Sequence, residues 1–578
     1  MLPRAVIACL LALVLVGPSS AAPQELLPGL TYDRKIEFTT RGPVVVNVLT
    51  VPRLGGLWSL KPALSNEAIV GSERLTAIEK RLSSTATVAG VNGDLTTTSG
   101  APSGIVMRNG ALDQPPLPGR SSIGFDAAGT LNVARVTMLA TWQGSGPRRA
   151  LNDVNGPPGS NGVSLFTPAF GPSTPVTQGS FEVTFGAFPH ARPNAELAAT
   201  VNGASTNVGT PIPAGGAVLV ARGTAAAFMQ KEAPPGQPVR IRLILKPAWA
   251  SVVDALGGGP ALVRNGRPIF RATEQFTPDQ LLARTARSAV GQLPDGRILL
   301  VTVDGSQPGW SMGMTNFELA LELAELGAVS AVALDGGASS AMAFDGKLLS
   351  RSARTERPIG DALVVSYAGV YLPPPLEPVL TPNADGVSDR QRLTYRVVRP
   401  STVSVNLLGP DGVARYSFSG AASPGTYALD WPGTKPDGSE ELEGRWRWVV
   451  SVTDDTGLAS AGERDFDLNR TLGFAVPIGG ALTVPRPKAR GVAVFKLARG
   501  ATIAPRIETP SGVLLRTLPR IRSGPGELQV SWDGVTDGGG VVYSGRYVAA
   551  VTATNELGSV TLGAPFSVHR TNVFTVAK

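Results

Sequence analysis

The run TNFELALELAELG, residues 315–327, stands between RILLVTVDG (297–305) and VSAVALDGG (329–337), and how these three segments are read decides the fold. Thr315 and Glu318 form an S/T-x-x-E capping box. Apolar residues follow at helical spacing, and Gly327 sits where a helix would stop. The flanking runs are uniformly apolar and β-branched, as expected of buried strands. A strand, a crossover helix and a strand predict two parallel strands joined in the right-handed sense, hence a mixed sheet in an α+β domain. Asp304 and Asp335, each just beyond its strand, would then project from one edge of that sheet. Their starting points would be roughly 5 Å apart if the strands are neighbours, or about twice that with one strand between. Ligands of such sheets collect at the carboxyl ends of the strands.

The 578-residue chain is longer than a single core supports, so two to four domains are expected. With 43% hydrophobic residues, 68 glycines and 49 prolines, it reads as globular and turn-rich, with many short strands. A shorter helix is expected around Ala68 to Leu82. Residues 1–22 read as a secretory signal: Arg4 supplies the charge, residues 5–16 the apolar stretch and Ser19-Ser20-Ala21-Ala22 the cut. Val6-Ile7-Ala8-Cys9 lies inside that apolar stretch rather than at its end, which favours soluble export over lipidation.

Cys9 is the only cysteine, so the exported chain has neither disulfides nor thiolate metal sites, and His190 and His569 are too few for a histidine zinc centre. Chemistry must rest on Asp, Glu, Arg, Ser, Tyr and backbone amides. The net charge of +8 is scattered, which suits a solvated basic surface or attraction to an anionic extracellular polymer. No nucleic-acid-binding motif is present.

A domain covering residues 23–371 is expected, then a stiff linker over 372–376 that contains Pro373-Pro374-Pro375. Beyond it the chain repeats itself without a gap. SPGTYALDWPGTKPDGSEELEGRWRWVVSVTDDTG from Ser423 matches GPGELQVSWDGVTDGGGVVYSGRYVAAVTATNELG from Gly524, pairing Trp431 with Trp532 and Gly444-Arg445-Trp446 with Gly545-Arg546-Tyr547. This predicts two all-β sandwich modules, 377–472 and 473–578. The loop Pro382–Asp389 offers oxygen ligands for a structural calcium, but Arg392 would hold position twelve of an EF-hand counted from Thr381. No other cofactor is expected.

Asp335-Gly336-Gly337 with Ser339-Ser340 is the sharpest local signal. It could be a tight turn, or a cup of amides and hydroxyls around phosphate or sugar oxygens in which Asp335 transfers a proton. Asp304-Gly305 could merely end a strand, or supply the second of two carboxylates. Glu318 belongs first to its capping box. Arg287 could be a solvated arginine or a fork for phosphate, and Asn92 a turn residue or an amide for sugar hydroxyls.

VNGD (91–94), RSAVG (287–291), LLVTVDG (299–305), GMTNFELA (313–320), ALDGGASSAM (333–342) and ERPIGDALVV (356–365) resemble, in consistent order, the phosphodiester glycosidase family. The resemblance implies a hydrolase that cleaves a sugar-1-phosphodiester, such as a GlcNAc-1-phosphodiester, at the glycosidic carbon. It makes Arg287, Asp304, Glu318 and Asp335 catalytic candidates, with Asn92, Gly336, Gly337, Ser339 and Ser340 lining the pocket. Four positions depart from the pattern: Leu95-Thr96 where relatives often carry aromatics, Ala338 in place of a third glycine, and Asp361 where Asn is common. The tail resembles the Ig-like modules of flagellar hook-capping proteins and bacterial secreted enzymes, which implies spacing or attachment to a cell-wall polymer. The partner expected is a sugar phosphate or phosphoglycan. The alternative is a protein of the same fold that binds or assembles anionic polysaccharide without turning it over.

Overall fold

The structure is a computed structural model that describes residues 23–206, 209–269, 274–384 and 386–571; the expected signal, residues 1–22, lies outside them. The chain divides into two compact units, residues 1–368 and 369–578. The elements that place the site in the first unit are strands β1 (Gly42–Val51), β2 (Thr87–Asn92), β3 (Ala261–Arg264), β4 (Arg287–Gln292), β5 (Ile298–Val303), β6 (Ser330–Ala333), β7 (Met342–Phe344) and β8 (Asp361–Tyr367). Three helices accompany them: α1 (Leu75–Leu82), α2 (Pro278–Leu282) and α3 (Asn316–Glu325).

In the larger sheet the central order is β1-β5-β4-β6-β3. The strands flanking α3 do run parallel, but they are not neighbours. β4 lies between them and pairs antiparallel with both. The expected mixed sheet is therefore corrected: every neighbouring pair described in this sheet is antiparallel. The physical reason is that Arg287–Gln292, just upstream in sequence, turns back through a short loop to β5 and fills the gap that α3 spans. A second sheet contains β7-β2-β8, again antiparallel.

β4 and β5 are buried along their whole length. Leu299, Val301 and Val303 pack with Leu319, Ala320 and Leu323 of α3, while Leu300, on the opposite face, is equally inaccessible. Such two-sided burial is why these strands read as continuous apolar runs. The α3 capping box forms as expected: the Thr315 side chain accepts from the Glu318 amide at 3.2 Å, and Glu318 accepts in return from the Thr315 amide at 2.8 Å. The helix expected over 68–82 is confined to Leu75–Leu82, preceded by a short 3-10 turn at Ser65–Glu67. The first unit is otherwise mostly β-structure.

The second unit holds two sandwiches, each with its own core. Trp431 packs on Trp446 at 4.3 Å and Phe466 at 5.8 Å, and its counterpart Trp532 packs on Tyr547 at 5.9 Å and Phe566 at 6.0 Å, so the sequence repeat is also a repeat of packing. The expected domain boundary at 371/372 lies slightly beyond the observed division, because Val370 and Leu372 are buried in the core of the first sandwich. In the loop offered for calcium, Asp389 accepts from the amides of Asn383, Ala384 and Gly386 at 2.7–2.9 Å, and Asp385 lies outside the described residues. No described helix is long and apolar enough to cross a membrane.

Thr315→Ala removes the cap of α3. The expected cost is about 1 kcal/mol, read as a lower urea midpoint for the first unit.

Candidate active site

Because β4 runs against β5 and β6, its first residue meets their last at one sheet edge, with Arg287 opposite Val303 and Ala289 opposite Ala333. Arg287, Asp304 and Asp335 therefore leave the sheet together. Gly305 lets the chain turn tightly here: a Cβ at that position would lie 2.2 Å from the Ala286 amide nitrogen.

The turn after β6 is firmly held. The Asn92 side chain, at the end of β2, donates to the Asp335 carbonyl at 2.8 Å and accepts from the Ser288 hydroxyl at 2.6 Å and the Ala341 amide at 3.1 Å. The Asp335 amide donates to the Gly93 carbonyl at 3.0 Å. Gly337 adopts φ +65°, and its amide donates to the Ala286 carbonyl at 2.8 Å, while the Ser340 amide donates to the Gly337 carbonyl at 3.2 Å. Several amides expected to face a ligand thus serve the turn itself. The Asp335 carboxylate accepts from the Ser339 hydroxyl and the Gly336 amide, yet burial dominates and pushes its pKa up to about 6.

Asp335, Gly336 and Arg287 line a cavity of about 290 Å³ together with Arg120, Asp279 and Asn316. Arg120 pairs with Asp94 at 2.9 Å and lies over the Phe276 ring at 4.6 Å. The aromatic side chain among the cavity's lining residues is Phe276, and Leu95 lines the cavity as well. Two buried atoms of the lining residues have no protein partner, Nε of Arg120 and Oδ1 of Asn316. Unpaired groups of this kind are costly unless something polar meets them. Arg287 itself is 6% exposed, and its guanidinium donates to the carbonyls of Met314 and Gln280 at 2.9 Å and to that of Ala283. Burial lowers its pKa to about 10, with Asp335 and Glu318 opposing the shift. A Cβ on Gly336 would lie 3.4 Å from Arg287 Nη1, which places the cation against the turn.

Asp304 faces a second cavity of about 180 Å³, which shares Thr285 and Gly337 with the first. Its oxygens accept from Asn47 Nδ2 and the Arg351 amide at 3.0 Å and from Trp310 Nε1 at 2.8 Å. Burial raises its pKa, against those three hydrogen bonds. Glu318 lines neither cavity. It is occupied by Thr315 and by an ion pair with Arg284, and these outweigh its partial burial to hold its pKa below the ordinary carboxylate value. The structure thus brings Asp335, Arg287, Gly336 and Gly337 into one cavity, places Asp304 and Ser340 in the adjoining one, and puts Asn92 behind both.

Arg120, Asp279 and Asn316 escape the sequence reading. Asp279 carried a usable signal, since Thr277 and Gln280 form a capping box like that of α3. Arg120 lies in a loop with no pattern around it. Among the described residues no three His, Cys, Asp or Glu side chains gather to hold a metal.

Residues 193–366 match the phosphodiester glycosidase family. That span contains Arg287, Asp304, Glu318 and the turn 335–340, while Asn92, Asp94 and Arg120 come from outside it. Over 107 residues the chain is 35% identical to the SPbeta prophage-derived uncharacterized protein YomE of Bacillus subtilis strain 168, covering 18% of this chain and only 16% of that protein. A solved hypothetical protein from Synechocystis shares 26% identity at a TM-score of 0.49, over 58% of this chain and 62% of its own. The catalytic domain of zebrafish N-acetylglucosamine-1-phosphodiester alpha-N-acetylglucosaminidase, auto-inhibited by its pro-peptide, shares 15% at a TM-score of 0.31, over 60% and 86%.

With Asp335 raised from 3.8 to about 6, the folded protein binds more protons than the unfolded chain between these values, so stability falls as pH rises through that window. Asp335→Asn is expected to stabilise the fold by about 1–3 kcal/mol at pH 8, a gain that vanishes near pH 4. Thermal unfolding at the two pH values measures it.

Proposed function

We propose that the protein hydrolyses a sugar-1-phosphodiester at the glycosidic carbon, releasing the sugar and leaving a phosphomonoester. The observation that carries this reading is the Asp335 carboxyl, poised near pH 6 in a cavity walled by Arg287 and Arg120. The phosphodiester glycosidase match over residues 193–366 supports the same chemistry.

In this reading Asp335 in its acid form gives a proton to the phosphate oxygen as the C1–O bond breaks, and water adds to C1 with its proton passing to a base. Asp279 is the other carboxylate lining the same cavity and takes the base role. Arg287 and Arg120 steady charge around the reacting centre, and Asn316 Oδ1 accepts from a sugar hydroxyl. Asp304, Glu318 and Asn92 act as positioning residues, since their polar atoms are spent on the protein. Ser339 holds Asp335. Export through residues 1–22 and attachment of the Ig-like tail to an envelope polymer complete the proposal.

Incubation with a GlcNAc-1-phosphodiester tests it by release of the free sugar. Asp335→Asn should lower kcat by about 10²-fold or more, and wild-type kcat should fall as pH rises above about 6, as the proton donor is lost. Tight binding of anionic polysaccharide without any sugar release would favour the non-catalytic alternative.

A further inference from the structure

We infer that the cavity beside Asp304 is an anion subsite for a phosphoryl group, with Arg351 and Arg354 as its counter-charges. Within the proposed hydrolysis, on which this part rests, it receives the phosphate half of the substrate while the sugar occupies the cavity of Asp335.

The charge distribution separates the two halves. The larger cavity sets two carboxylates, Asp335 and Asp279, against two guanidiniums, Arg287 and Arg120, which are already engaged by three backbone carbonyls and by Asp94, so it offers a phosphate no surplus positive charge. The smaller cavity is lined by a single acid, Asp304, which is 2% exposed and already accepts three hydrogen bonds. Against it stand Arg351 and Arg354, both exposed and neither in an ion pair with any described residue. Arg351 is held in place twice. Its amide is fixed to Asp304 Oδ1 at 3.0 Å, and its guanidinium lies over the Trp310 ring at 4.8 Å, with Trp310 in turn bonded to Asp304. A stacked guanidinium keeps its N–H edge free for the planar, forked contact that phosphate oxygens accept. Asp304 then acts as a positioning residue for the cation rather than as a reacting acid.

Hydroxyls complete the setting. Thr302 Oγ1, Ser340 Oγ and Ser352 Oγ all belong to residues of this cavity, all are buried, and none has a partner. A rotation about one side-chain bond turns each serine hydroxyl to a new partner, so an oxygen-rich ligand can satisfy groups that the empty fold leaves unmade. The two cavities meet at Thr285 and Gly337, so a ligand crossing that ridge has its glycosidic oxygen at the boundary.

Inorganic phosphate is the probe. Calorimetric titration at low salt, with chloride at equal ionic strength as control, should show binding to the wild type and to Asp335→Asn. The double variant Arg351→Gln/Arg354→Gln should lose about tenfold or more in phosphate affinity, with the thermal midpoint lowered by no more than the loss of the one exposed Arg351–Trp310 contact accounts for. Absence of phosphate binding in the wild type would overturn the inference, as would undiminished binding in the double variant or loss confined to Arg120→Gln. Turnover with an unchanged KM in the double variant would sink the subsite and leave the hydrolase standing. Phosphate binding lost in the double variant, with no turnover of any sugar-1-phosphodiester by the wild type, would sink the hydrolase and leave the subsite.

Discussion

A single buried amide joins two of the sheets of the first unit at the point where the chemistry is placed. Asn92 ends a strand of the smaller sheet, has no solvent exposure, and bonds simultaneously to the Asp335 carbonyl and the Ser288 hydroxyl at the larger sheet and to the Ala341 amide that leads into β7 of its own. Only a side chain with both donor and acceptor can do this: an aspartate would set its charge against the Asp335 carbonyl, and a leucine would leave three polar groups unpaired. With the turn fixed from behind, Asp335 is displayed at the edge without freedom to swing away, and its carboxyl is desolvated by the same packing that holds it. Positional accuracy and a raised pKa therefore have one cause.

The elements legible in the sequence are those governed by local rules. The capping box of α3, its stop at Gly327, the buried strands on either side and the common edge for Asp304 and Asp335 all follow from neighbours in the chain. What escaped depends on distant partners. Nothing in the segment 297–305 says that Asn47, Trp310 and the Arg351 amide will saturate Asp304, or that β4 will insert between the two parallel strands. Arg120 and Phe276 reach the cavity from loops without periodicity, so no pattern could place them. Glu318 illustrates the converse. Its local role as a capping residue was readable, and the structure adds Arg284 as a partner and gives it no cavity.

The resemblance leads one to expect Asn where this chain has Asp361, and the surroundings of that carboxyl favour its neutral form. Asp361 is fully buried: Oδ1 accepts from the Asp94 amide at 2.9 Å, and Oδ2 has no partner. The nearby guanidinium of Arg120 is already paired with Asp94, whose second oxygen accepts from the Gly104 amide at 2.7 Å. Burial first, and the charge of Asp94 second, push the Asp361 carboxyl well above the ordinary range. In its neutral form it carries one acceptor and one donor in the plane of an amide, so it can stand in for asparagine at no cost in charge. Three acids that act on one another thus differ through their surroundings: Asp94 is paired with a cation, burial raises Asp361 well above the ordinary carboxylate range, and burial pushes Asp335 up to about 6. Separation of this kind is what equips one carboxyl among several to move a proton, and a charged Asp361 would have pushed Asp335 further from that range.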